Sequence, residues 1–261
     1  MRTRKKLITK GGRSQLISEE SLHELLDISQ ENITLLSVRH SSRAKRLIFK
    51  TSIRIGFEII LPHYYEDNWV LEVLSRRKCQ IEKDLAAIRK GRTELKPRSI
   101  TLPSTGKRWK IIYRGMGDKN VDVITETPNT LEIPENQKDV FQVPALLQKW
   151  LHEKALEYLP RQLSSISVAL KLPYKNVRIK RQKTLWGSCS IKRNINLNRN
   201  LMLMPPDVVD YVLHHELVHL KVLNHSSEFW KELERLFPNY KKSLGRLKYF
   251  QNGRLPEWAL V

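Results

Sequence analysis

The chain has 261 residues, 40% of them apolar and six of them Trp, enough to bury a core and too many for an intrinsically disordered polymer. Lys and Arg outnumber Asp and Glu by 47 to 27, a formal net charge of +20 that points to polyanions as partners. No run of about 18 apolar residues is available to span a membrane, and Cys79 and Cys189 form no CxxC pair, which excludes a disulfide framework and fits a reducing compartment.

In chain order, the basic start Met1 to Lys6 is not followed by the apolar core of a secretion signal, so a cytoplasmic location is expected. Residues 1–14 read as a basic tail. At 18–30 the sign changes: Glu19, Glu20, Glu24 and Asp27 combine with Leu22, Leu25, Leu26 and Ile28 as a short amphipathic helix. That helix either caps the fold or meets a basic surface or partner. Strands are expected at 35–39, 46–51 and 54–61, ended by Pro62, and then a long helix at 66–90. Further strands are expected at 99–102, 107–113, 121–125 and 130–133, with turns at 104–106 and 115–117. A composition shift over 134–144 marks the entry to a second half. Its first helix, 145–159, should kink or break at Pro160 and resume over 163–170. Short strands follow at 176–181, 185–190 and 194–197. The expected architecture is α+β: 1–34 as a tail and helix, 35–135 as a β-rich module with one long helix, and 136–261 as a catalytic domain.

The next helix carries the chemistry. Pro205-Pro206-Asp207 opens it, with Pro in the first turn and an acid at the positive end of the dipole. His215-Glu216-Leu217-Val218-His219 then sets two imidazoles four residues apart, on one helix face and able to share one metal ion. Glu216 stands beside them as the group that deprotonates a water. His225, in the turn Asn224 to Ser227 ahead of a second helix at 228–236, can return as a third ligand. Three protein ligands and one open position make a catalytic rather than a structural zinc site, so Zn2+ is the expected cofactor and hydrolysis the expected chemistry. Read as ordinary helical histidines, the same residues would carry none of this. His214, rotated about 100° from His215, is read as a packing or surface histidine.

From Tyr158 to Pro206 there is no Asp or Glu, while Arg161, Lys171, Lys175, Arg178, Lys180, Arg181, Lys183, Lys192, Arg193 and Arg199 fall in the same window. The window runs into the metal helix. It reads either as a site for nucleic acid or nucleotide phosphates, whether as substrate, regulator or docking surface, or as a solvated basic face.

Thr184-Leu185-Trp186-Gly187-Ser188-Cys189-Ser190, Ile195 to Asn198, Pro205 to Tyr211, the HELVHL run, Asn224-His225-Ser226 and Phe229-Trp230 resemble the YgjP-like metal-dependent hydrolases, relatives of the SprT and WLM zincin proteases. Weaker similarity reaches the basic stretch Val38 to Arg46. The resemblance spans roughly 35–250 and leaves 1–34 without a carried-over role. It implies a zincin-like catalytic domain in which His215, His219 and His225 hold zinc and Glu216 is the base that serves a zinc-activated water. It also implies an edge strand at 185–190 that aligns an extended substrate by main-chain pairing. Metzincins share the histidine spacing, but Val222 stands where they have Gly and no Met-turn follows. Arg181 and Lys183 are expected to face the cleft and bind phosphates or the oxyanion. Trp186 and Ser188 are either substrate contacts or core and turn residues. Three readings stay open: a metallopeptidase acting near or on a polyanion, a nucleoside triphosphate (UTP-type) pyrophosphatase, and a nucleic-acid-binding protein with a structural metal. Glu216 argues against the last, and the lack of a Gly-rich phosphate loop or acidic Mg2+ cluster argues against the second. Oligomeric state leaves no trace in the sequence.

Overall fold

A computed structural model describes residue 32 and residues 34–115, 123–136, 139–182, 184–251 and 255–261. The expected helix at 18–30, the turn at 116–117, the start of the strand at 121–125 and Lys183 lie outside the described residues. The fold is α+β, in two compact units divided between Thr93 and Glu94.

In the first unit, β1 (Leu36–Ser41), β2 (Ile48–Ser52) and β3 (Gly56–Pro62) form a sheet of order β1-β3-β2. β1 runs parallel to β3 and β2 antiparallel to it. β3 is almost wholly apolar, as a central strand should be, with Ile59 and Leu61 fully buried. Helix α1 (Asp67–Glu94) lays Val70, Leu74, Ile81, Leu85 and Ile88 against Phe57, Ile59 and Leu61. These positions recur at helical spacing, which is why the sequence shows them.

The second unit opens with β4 (Ser99–Leu102), β5 (Lys107–Gly115), β6 (Thr125–Glu126) and β7 (Thr130–Glu135), in the order β4-β5-β7-β6. Next come α2 (Gln142–Leu170), β8 (Asn176–Lys180), β9 (Gly187–Cys189), β10 (Asn194–Asn198) and a 3-10 turn (Arg199–Leu203). The helices α3 (Pro206–Val218), α4 (Ser227–Leu236), α5 (Tyr240–Gln251) and α6 (Glu257–Leu260) complete it. Strands β8 to β10 make a small mixed sheet, order β8-β10-β9, with β8 parallel and β9 antiparallel to β10. Ile100, Trp109, Leu131 and Ile133 of the first sheet share one core with α2, β10 and α3. The residues between 94 and 135, expected with the N-terminal module, therefore fold with the second unit. Among the described residues, no helix is long and apolar enough to cross a membrane.

Pro160 does not break its helix. α2 runs unbroken through it, because Leu147, Leu151, Ala155, Leu159 and Leu163 form a buried stripe on both sides. Burying those side chains, about 1.5–3 kcal/mol for each Leu, offsets the roughly 3 kcal/mol that an interior Pro costs. Leu156, an apolar residue of the same helix, is exposed.

The basic window divides as well. Arg199, counted in the basic window, is neither solvated nor open to an anion: it is buried in the 3-10 turn, where it donates from Nη1 to Gln148 O (3.0 Å) and from Nη2 to Gln148 Oε1 (2.8 Å). Burial and the nearby Arg181 push its guanidinium down to about 10. Gln148 in turn donates Nε2 to Trp258 O at 2.8 Å, so the cation ties α2 to α6. The two terminal nitrogens of Arg199 are met in this way, which a buried Arg needs, while Nε is buried without a hydrogen-bond partner. Arg193 is used structurally too, donating Nε to Pro173 O at 3.0 Å. Lys171, Lys175, Arg178, Lys180 and Lys192 stay exposed.

Candidate metal centre and active-site cleft

α3 starts on Pro206 with Asp207 in its first turn, where Asp207 pairs with Arg246 and accepts from Ser243 Oγ at 3.3 Å. Val208, Val212, Leu213 and Leu217 anchor the helix in the core, leaving the His215 face towards a cleft. His219 caps its C-terminus. The turn to α4 then delivers His225, which is exposed.

Ligand atoms of His215, His219 and His225 all lie within 4.8 Å of one another, the only group of three His, Cys, Asp or Glu among the described residues to do so. His225 Nε2 stands 2.9 Å from His215 Nε2. Burial, with His219 and His225 alongside, lowers His215 to about 3, so it is neutral at physiological pH. His219 is lowered by burial as well. Its Nδ1 lies 3.0 Å from Val222 O, which can only accept. The proton is thus on Nδ1, and the Nε2 lone pair is free for a ligand bond. On the other side, Tyr211 Oη sits 3.4 Å from His215 Nδ1. Neutral rings that turn nitrogens to one point bury lone pairs against each other unless a cation draws them together. The donor set fits a nitrogen-preferring metal.

Glu216 is 4% exposed, and its Oε2 has no hydrogen-bond partner. Burial raises its carboxyl to about 8. A proton acceptor tuned towards neutrality beside a candidate metal site is what general acid–base chemistry needs. Gly187, on β9, lies directly against it: a Cβ placed there would stand 2.7 Å from both Cγ and Cδ of Glu216. Only Gly lets the strand and the carboxylate share this space. Gly187→Ala is therefore expected to keep its metal and lose turnover about a hundredfold, the usual cost of an ångström-scale misplacement. Wild-type rates in that variant would show that the carboxylate does not need its present position.

The cleft around His215, Glu216 and His225 has a volume of about 370 Å³. Thr184, Leu185, Trp186 and Gly187, from β9 and the segment before it, line it together with Trp230 of α4 and Leu244, Leu247 and Gln251 of α5. No Lys or Arg lines it among the described residues. Arg181 instead lines a neighbouring cavity of about 500 Å³, beside Gln182, Asn198 and Asn200, and its Nη2 donates to Val261 O. Trp186 lines both cavities. Ser188 lies on β9 and accepts from Asn196 Nδ2 at 3.0 Å, which makes it a sheet residue rather than a lining one. His214 packs on Phe237 at 4.8 Å, with Nδ1 2.8 Å from Asp210 O. β9 is an edge strand with β10 on one side and, among the described residues, no strand on the other.

The sequence reading missed Gly187, Tyr211 and Trp230 as site residues. Tyr211 could have been found, since it precedes His215 by one helical turn. Gly187 and Trp230 reach the site only through the tertiary fold.

Residues 45–250 match the model of the YgjP-like metallopeptidase domain. The chain belongs to the YgjP-like family. As a YgjP-like protein it is a metal-dependent hydrolase of the metallopeptidase type, and the family implies a divalent metal and a peptide substrate. Two solved structures are similar over 36% of this chain and 95% of theirs. They are the metallopeptidase zymogens abylysin of Pyrococcus abyssi, 29% identical with a TM-score of 0.33, and jannalysin of Methanocaldococcus jannaschii, 26% identical with a TM-score of 0.32. No curated protein is significantly similar.

Proposed function

We propose that this YgjP-like protein is a zinc metallopeptidase whose metal is held by His215, His219 and His225 and whose general base is Glu216. The observation that carries the reading is the convergence of three imidazoles and a buried carboxylate in a cleft without Lys or Arg among its described lining residues. A triphosphate site would need cationic donors around the phosphates.

Zinc in this position would supply Lewis acidity, polarising the scissile carbonyl and acidifying a water. The protein's own share begins at β9, whose open edge can pair with an extended main chain and bring a peptide bond over the helix face. Glu216 accepts the proton of the attacking water and returns it to the departing amine. Its burial keeps the carboxyl's affinity for that proton high. Val222 O fixes the tautomer of His219, and Tyr211 orients His215.

The exposed Arg178 and Lys180, on the outer edge of β8, supply a surface for an anionic partner outside the cleft. Polyanion would then act as a docking surface and not as substrate.

Zinc-loaded wild type and Glu216→Gln are to be compared on a complex peptide mixture and on a panel of nucleoside triphosphates. Peptide cleavage present only in wild type is expected. Phosphate or pyrophosphate release that disappears in Glu216→Gln, with no peptide cut, would transfer the site to nucleotide hydrolysis.

A further inference from the structure

The cleft has a shape as well as a charge. Trp186, leading into β9, Trp230 of α4, Leu244 and Leu247 of α5 and Val212 of α3 all line it. Trp230 is held firmly: its Nε1 donates to His225 O at 3.2 Å, and its ring stacks on Tyr240 at 5.7 Å and 25°. The backbone of Trp186 is fixed by Asn198 N, which donates to Trp186 O at 2.9 Å. The ionisable side chains among the described lining are His215, His225, Glu216 and Tyr211, which already belong to the metal centre or its support. Apart from Gly187 and the uncharged polar Thr184 and Gln251, what remains around the reacting groups is apolar: Leu185, Trp186, Val212, Trp230, Leu244 and Leu247.

We infer that this pocket is the specificity site of the enzyme and seats one large apolar side chain, aromatic or Leu-like, of the residue flanking the scissile bond. The inference rests on the peptidase reading for the word "scissile", but the pocket's preference for an apolar group can be measured without any cleavage. A charged side chain entering here would lose its hydration against Trp and Leu walls, and the one carboxylate in the described lining, Glu216, is committed to the reacting water. An apolar one would exchange water for contact on several sides. Burying such a group corresponds to about a tenfold to hundredfold gain in affinity. Selectivity would arise from α5, because Leu244 and Leu247 come from outside the metal-binding helix pair and can vary without touching the chemistry.

The first test is equilibrium binding of simple hydroxamates to the zinc-loaded protein. Acetohydroxamate supplies the metal-binding head alone, a benzyl-bearing hydroxamate adds the apolar group, and lysine hydroxamate adds a cation. The benzyl compound should bind at least about tenfold more tightly than acetohydroxamate, and the lysine compound should gain nothing. In Leu244→Lys, at a partly buried position, the benzyl advantage should vanish while acetohydroxamate affinity stays within about twofold of wild type, which also reports that the variant is folded and loaded. Equal affinities for the benzyl and acetyl compounds in wild type would overturn the inference, whatever the protein cleaves.

The second test is the cleavage profile of wild type on a peptide mixture, with Glu216→Gln as blank. Cuts enriched for Phe, Leu, Met or Trp on one side of the bond are expected, with a shift towards Asp and Glu in Leu244→Lys. Cleavage with no such enrichment would overturn the specificity inference and leave the peptidase reading intact. A benzyl advantage without Glu216-dependent peptide cleavage would support the pocket and remove the peptidase reading.

Discussion

Glu216→Gln is expected to abolish hydrolysis, with a loss of roughly 10²- to 10⁴-fold, while zinc content stays at the wild-type level. Gln keeps the volume that Gly187 accommodates but cannot take a proton. The same variant should change stability in the opposite direction. In metal-free protein the Glu216 carboxyl holds its proton up to about pH 8, against an ordinary value of 4.5. Between those values the folded chain binds more protons than the unfolded chain, so stability falls as pH rises across that window. The effect reaches a few kcal/mol at pH 8. Metal-free Glu216→Gln should therefore melt above metal-free wild type at pH 8 and converge with it towards pH 4.5. Coincident melting curves at pH 8 would show that the carboxylate is not held at a cost. His215 and His219 shape the acid side. Their lowered values mean that the unfolded chain takes up protons first as pH drops below 6.5, so metal-free stability also declines in that direction.

His219→Ala should lose tightly held zinc outright. Even a change in a residue that supports a ligand costs about ten- to a hundredfold in metal affinity, and this one removes a ligand. It also deletes the contact between His219 Nδ1 and Val222 O that shapes the start of the turn. His225→Ala, exposed and at the far end of that turn, should lose zinc with less disturbance of the metal-free fold. Elemental analysis after dialysis decides both cases. Unchanged zinc in either variant would remove that histidine from the site.

The parts of the molecule legible in the sequence are those written in local periodicity. Val208, Val212, Leu213 and Leu217 announce α3, and the four-residue step from His215 to His219 puts two rings on one face whatever surrounds the helix. β4 and α4 begin within a residue of where their patterns place them, and β9 falls inside its expected span. Pro160 was misread because its cost is local while the stripe that outweighs it is tertiary. The burial of Arg199, one cation of the basic window, is hidden from the sequence for a related reason. Sequence shows that a side chain is cationic but not that Gln148 waits to receive it. Strands β4 to β7 lie closer in sequence to the N-terminal module, yet their apolar faces meet α2 and β10. The role of Gly187 is invisible from sequence alone, since a close approach to Glu216 leaves no pattern except the Gly itself.

The two ends of the ligand set lie ten residues apart in the chain, His215 inside a helix and His225 in the turn beyond it. Arg235 and Lys221 converge on Glu232, which their hydrogen bonds hold well below the usual carboxylate range; Arg235 lies on α4 itself, and Lys221 ties α4 to the start of that turn. A metal shared between His215 and His225 would act as a second clasp on the same corner, removing loop entropy from any partly open state. Chelation should then be felt first as local opening: faster amide exchange across 219–230 and a new protease-sensitive site near Leu223, before the core of α2 and α3 loosens.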